Sequence, residues 1–71
     1  MELIKATSSK EFAEVIRQCR QELNISKYQA ATRVGVAYNV YDRAEGEGPR
    51  NLSNLFKFLE AFDIDLAIIK K

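Results

Sequence analysis

Gly35 constrains this chain more than any other residue, because it interrupts a stretch that is otherwise helical on both sides. Asn24 to Glu45 reads NISKYQAATRVGVAYNVYDRAE. Gly35 stands where the first run must stop and turn, in the left-handed backbone region that glycine enters without steric penalty. Ser26, with Gln29 three residues on, makes a capping box that satisfies two orphan backbone donors reciprocally. Ala30, Ala31 and Val34 then give a small apolar face that lets another helix come close. The second run, Val36 to Glu45, carries Val36, Val40 and Ala44 at helical spacing with Tyr41 beside them. Two short helices joined by a glycine-containing turn form a helix-turn-helix over residues 26–45.

The flanks supply the rest of a core. Met1 to Thr7 reads as an extended arm or edge strand. Ser8 and Glu11 form another capping box and open a helix whose apolar stripe is Phe12, Val15, Ile16, Cys19 and Leu23. Cys19 on that stripe is a structural thiol, since no histidine exists to activate it. Gly46 to Arg50 is a loop by composition. Asn51 caps a final helix, Leu52 to Phe62, with Leu52, Leu55, Phe56, Leu59 and Phe62 on one stripe. That helix holds three of the chain's seven aromatics, counting Phe58, which points to core or interface rather than a cofactor box. From Ile64 onward the pattern turns to near-alternation with β-branched residues, a strand over 64–70. A lone strand leaves unpaired edges. Pairing with residues 2–6, or with its own copy in a second subunit, would satisfy them. The two-chain sheet is favoured, which puts Phe62, Leu66, Ile68 and Ile69 at a dimer interface.

Composition closes off several function classes. A chain of 71 residues is expected to make one domain, 1–71, and one so small gains stability by forming oligomers. With 46% hydrophobic and 30% charged residues it is globular rather than disordered. No apolar run is long enough to span a bilayer and no signal-peptide pattern opens the chain, so no membrane partner is expected. One cysteine argues against a disulfide framework and for a reduced, cytoplasmic compartment. With no histidine and that single thiol, neither a metal site nor a cofactor is expected. The absence of a nucleophile–base pair and of a Gly-rich phosphate loop argues against an enzyme. Net charge is only +1, so a polyanionic partner would have to meet positive charge concentrated on one face.

Matching features at matching spacing are carried by Ala30-Ala31, Val34-Gly35-Val36, Arg20 upstream and Glu45 at the end of the second helix. In these the chain resembles the Cro/repressor-type (XRE-like) helix-turn-helix family of prokaryotic and phage DNA-binding proteins, including its antitoxin-like branch. The likeness covers residues 9–66. It implies a mainly α, compact four-helix, lambda-repressor-like domain with short terminal strands paired across a dimer. It also implies a sequence-specific transcriptional regulator, a dimeric repressor holding a palindromic operator through the second helix of the motif. The alternative it carries is an antitoxin or other protein-binding module that neutralises a toxin or other partner, its apolar end adding a strand to that partner's sheet.

The resemblance implies roles for particular residues. Tyr38, Asn39, Asp42 and Arg43 would face base edges: Arg43 toward guanine, Asn39 toward adenine, and Tyr38 with either its hydroxyl or its ring against a thymine methyl. Asp42 would accept from cytosine N4, or act as a brake on phosphates, or orient Arg43. Lys27 takes the place where the family has a phosphate-touching glutamine. Arg33 is either a phosphate contact or a solvated arginine, and Gly46 and Arg50 either approach the DNA backbone or belong to a plain linker. Arg20 and Glu45 match the family's partly buried ion pair, a structural role. Three departures stand out: Ala37 replaces a Ser or Thr cap, Tyr41 replaces an aliphatic residue, and the last helix is displaced by about one residue relative to Pro49.

Overall fold

The structure, a computed structural model, describes residues 6–66, and in it four helices follow one another: α1 Ser9–Leu23, α2 Lys27–Val34, α3 Tyr38–Glu47 and α4 Leu52–Ala61. Local chemistry sets each start. The Ser8 hydroxyl accepts from the Glu11 amide at 3.1 Å, while the Glu11 carboxylate accepts from the Thr7 backbone and hydroxyl at 3.0 and 2.8 Å. Ser26 and Gln29 make the complete capping box at α2, with bonds of 3.1 and 2.9 Å. Asn51 accepts from the Asn54 amide at 2.8 Å and opens α4. The stops are equally local. Asn24 and Gly35 end α1 and α2 in the left-handed region, at φ 56° and 89°.

α1 packs on α3, and α2 packs on both α3 and α4. Ile16, Ala30, Ala31, Val34, Tyr41, Ala44 and Phe58 close the core, with Phe12, Ile25, Val36, Ala61 and Phe62 packed against it. Ala30 and Ala31 carry no side chain beyond Cβ, and this lets α3 and α4 seat directly on α2. Ring contacts run through the centre: Tyr41 to Phe58 at 5.6 Å between centroids, and Phe58 to Phe62 at 6.4 Å.

Several expected boundaries and faces differ. Gly46 is not in a loop: α3 runs on through Glu47, and the connection begins at Gly48. Nothing lies within 4 Å of a side chain placed at Gly46, so the helix passes through it unhindered. The last helix ends at Ala61, with Phe62 as its cap. Its inward stripe is Leu55, Phe58, Leu59 and Phe62, while Leu52 and Phe56 are left 68% and 55% exposed. This helix is apolar around much of its circumference, and the fit of the Phe58 ring between Tyr41 and Phe62 decides its rotation. In α1, Leu23 lies outside the core at 43% exposure because the chain turns away at Asn24. Ala13, which lies outside the expected stripe, is buried instead. Ile64 to Leu66 form no strand, and the Ile64 amide donates instead to the Leu59 carbonyl at 2.8 Å. The rest of the expected 64–70 strand, including Ile68 and Ile69, lies outside the described residues, as does its pairing with residues 2–6.

Candidate nucleic-acid interface

α3 has a strict division of faces. Tyr41, Ala44 and Glu45 are buried, while Asn39, Asp42, Arg43 and Gly46 recur at helical spacing on the opposite, exposed side. Tyr38 opens the helix beside them, 47% exposed. The four expected base-facing residues therefore share one solvent-facing patch, and Gly46 lies on the same face as a gap between side chains.

Below the patch, one guanidinium sets the angle of the helix. Arg20 from α1 reaches Glu45 through Nε to Oε2 at 2.6 Å and through Nη2 to Oε1 at 3.4 Å. Its Nη1 also donates to the Ile25 carbonyl at 3.1 Å, in the turn before α2. Arg20 thus ties α1, the approach to α2 and the end of α3 with a planar fork that a lysine cannot reproduce. Hydrogen bonding to Glu45 raises the Arg20 pKa further, so the fork stays charged. The Glu45 side chain is 4% exposed, and its charge is met inside the fold.

Tyr41 lies wholly buried against this pair. Burial first, and Glu45 second, push its phenol well above the ordinary range. Glu45 and Arg20 are close enough to act on its acidity, yet the hydroxyl meets no partner in hydrogen-bonding geometry. Cys19 is half-buried, and burial followed by the Glu22 charge raises its thiol pKa, which suits an inert packing role.

The candidate cations divide by location. Lys27, at the first position of α2, pairs with Asp42 across the motif at 2.9 Å. Arg50 is exposed and lines one shallow depression together with Arg43, so these two flank the same edge of α3. Arg33 points elsewhere: its Nε donates to the Ala61 carbonyl at 2.9 Å and serves the C-terminal end of α4. Of the residues expected at a dimer contact, Phe62 packs against the core and Leu66 is 53% exposed.

Sequence reasoning passed over Tyr28. It is 71% exposed and its ring lies 6.4 Å from that of Tyr38, so two tyrosines bridge the outer seam between α2 and α3. The signal was available, since position 28 is an aromatic in the first turn of α2, two residues past the Ser26 cap. At the start of α3, Ala37 takes the cap position without a side-chain hydrogen bond, and Asn39 does not supply one.

Among the described residues, no helix is long and apolar enough to cross a membrane, and no cluster of three or more His, Cys, Asp or Glu is placed to hold a metal ion.

No family model and no curated protein matches the chain. Solved structures do. The chain aligns with the HipA–HipB–O2–O3 complex at a TM-score of 0.81 and 17% identity, covering 96% of this chain and 97% of that one. It aligns with the HipB–O4 20mer complex at the same score, identity and coverage. An MDT protein gives 0.80, again at 17% identity over 96% of this chain and 97% of that one. Agreement over nearly the full length of both chains, at so low an identity, shows that this protein has the four-helix, helix-turn-helix fold of HipB.

Proposed function

We propose that this protein is a sequence-specific regulator of transcription of the Cro/repressor type, which binds double-stranded DNA through α3 in the major groove. The observation that carries the reading is the exposed face of α3. Asn39, Asp42 and Arg43 stand side by side there, on a helix whose buried face is anchored by Arg20 and Glu45. A helix of this width fits the major groove, and these side chains match its donor and acceptor patterns: Arg43 for guanine O6 and N7, Asn39 for adenine N6 and N7. Tyr38 and Tyr28 offer hydroxyls and rings at the edge of the patch. Arg50, Lys27 and the exposed backbone at Gly46 supply phosphate contacts, which set affinity and register rather than sequence choice. The protein acts as a dimeric repressor on a palindromic operator, with half-sites about one helical turn, roughly 34 Å, apart. It works in the cytoplasm, on the nucleoid when bound. The 20mer complexes of HipB, formed by a protein of the same fold, support the reading.

The test is a fluorescence-anisotropy titration against duplexes from the protein's own promoter region, with wild type and Arg43→Ala in parallel at two salt concentrations. Tight wild-type binding that Arg43→Ala abolishes, with the fold intact, is the expected result. Binding that Arg43→Ala leaves unchanged would move recognition off α3. Failure of wild type to bind any promoter duplex would retire the regulator reading.

A second reading, an antitoxin or other protein-binding module, rests on a separate observation. Leu52, Phe56 and Leu66 are large, apolar and exposed, away from the α3 patch. A protein of the same fold is found in complex with HipA. The two readings are compatible, and the neighbouring open reading frame is where a partner would be sought.

A further inference from the structure

Taken separately, Lys27 would meet a phosphate of the duplex and Asp42 a base edge. The structure joins them. Lys27 Nζ and Asp42 Oδ1 lie 2.9 Å apart, across the seam between the first turn of α2 and the exposed face of α3. While that pair is closed, Nζ is held at Asp42 Oδ1 rather than at a phosphate, and Oδ1 is occupied. The two side chains are 41% and 51% exposed, so the pair is screened and weak. A weak pair is one that a ligand can open.

What opens it follows from base-edge chemistry. A carboxylate facing a duplex is repelled by phosphates, and it is also repelled by the acceptor-rich major-groove edge of guanine. Adenine sets its N7 acceptor beside the N6 donor, whereas cytosine offers N4 as a donor without that neighbour. Only on a matching base does Asp42 gain a new partner as it lets Lys27 go. Elsewhere, Asp42 keeps Lys27 and the phosphate goes without its cation.

We propose that Asp42 and Lys27 act as one specificity-determining unit, in which a cytosine amino group that engages Asp42 releases Lys27 to a backbone phosphate. This rests on the duplex-reading function proposed above and deepens it. Sequence choice enters twice, through a base hydrogen bond and through an ionic contact that forms only where that bond is made. The Tyr28–Tyr38 ring contact spans the same seam, so α2 and α3 stay in register while the lysine side chain swings.

The experiment uses the full chain and duplexes that wild type enriches from a pool of random 20-base-pair sequences. Affinity is measured by fluorescence anisotropy over a range of salt on three probes: the enriched duplex, its variants with each cytosine replaced in turn, and a scrambled duplex. For wild type, replacing the cytosine that meets Asp42 lowers affinity and makes the salt dependence shallower by about one phosphate contact per subunit. For Asp42→Asn, Lys27 is free on every sequence. Binding to the scrambled duplex tightens by roughly two- to fivefold, as loss of an exposed pair allows, and the salt dependence becomes the same on all three probes. Lys27→Met also equalises the salt dependence, at the shallow value. Thermal melts check that both variants keep the fold.

Equal wild-type salt dependence on the enriched duplex and on all its cytosine variants would overturn the proposal, even with sequence-specific binding intact. So would an Asp42→Asn protein that binds the scrambled duplex as wild type does. A wild type that enriches no duplex at all would withdraw the duplex-reading function and this inference with it.

Discussion

Arg20 Nε and Glu45 Oε2 meet at 2.6 Å, although the two residues are 25 positions apart in the chain. Glu45→Ala leaves the guanidinium partly buried without its counter-ion, and the expected cost is about 3–5 kcal/mol. Urea denaturation monitored by circular dichroism reads this directly. Wild-type stability in that variant would remove the pair from its structural role.

Two glycines two residues apart should respond to alanine in opposite directions. Gly46 lies inside α3 with open space around it, so Gly46→Ala should stabilise by about 0.5–1 kcal/mol. Gly48 has φ +92°, and a Cβ there would lie 2.4 Å from the Ser9 carbonyl oxygen. Gly48→Ala should destabilise the domain by more than Gly46→Ala stabilises it. Gly46→Ala also tests the duplex contact: a more stable protein with weaker binding would place a phosphate or base close against position 46.

The buried phenol predicts behaviour in alkali. An unfolded tyrosine ionises near pH 10, and Tyr41 in the folded chain ionises higher. Above about pH 10 the unfolded state therefore holds fewer protons than the folded one. Stability should fall with rising pH, by up to about 1.4 kcal/mol per pH unit from this group. Tyr41→Phe should flatten that decline. At neutral pH the same variant should be unchanged, or more stable by up to about 1 kcal/mol, because the hydroxyl it removes makes no hydrogen bond. A loss beyond about 1 kcal/mol would mean that the hydroxyl is bonded in the folded protein.

Arg33, Arg43 and Arg50, three of the four arginines outside the core pair, should separate cleanly. Arg33→Ala should lower stability, through the lost bond to the Ala61 carbonyl, without altering the salt dependence of duplex binding. Arg50→Ala should leave stability alone and reduce the salt dependence by about one phosphate contact. Arg43→Ala should weaken binding strongly and relax sequence preference at the guanine it reads, with stability unchanged. Melts and salt titrations on the three variants check all of this, and an Arg33→Ala effect on salt dependence would bring that residue back to the duplex.

Much of this was legible in the sequence because it is written in local chemistry. Ser8, Ser26 and Asn51 mark helix starts, Gly35 marks a stop, and the spacing of Arg20 to Glu45 matched a known ion pair. What resisted reading depends on rotation and reach. Nothing in the order of Leu52, Leu55, Phe56, Phe58 and Leu59 says which apolar residues turn inward, since that is settled by rings from other elements. Gly46 looked like a loop residue because glycine usually is one, and only the packing of Tyr41, Ala44 and Glu45 carries α3 through it. Arg33 and Lys27 looked equivalent as exposed cations. Their partners, the Ala61 carbonyl and the Asp42 carboxylate, are distant in sequence and give the two residues different work.

Ala37 begins α3 without a side-chain cap, so the first turn of that helix is the least secured part of a motif otherwise tied at both ends. Tyr38 and Asn39 ride on that turn. Alanine and serine codons differ by one base, and a serine at this position would add about 0.5–2 kcal/mol of helix stability. A firmer version of this protein is therefore a single mutational step away. With alanine in place, the two exposed residues that open α3 rest on a turn held by backbone bonds alone.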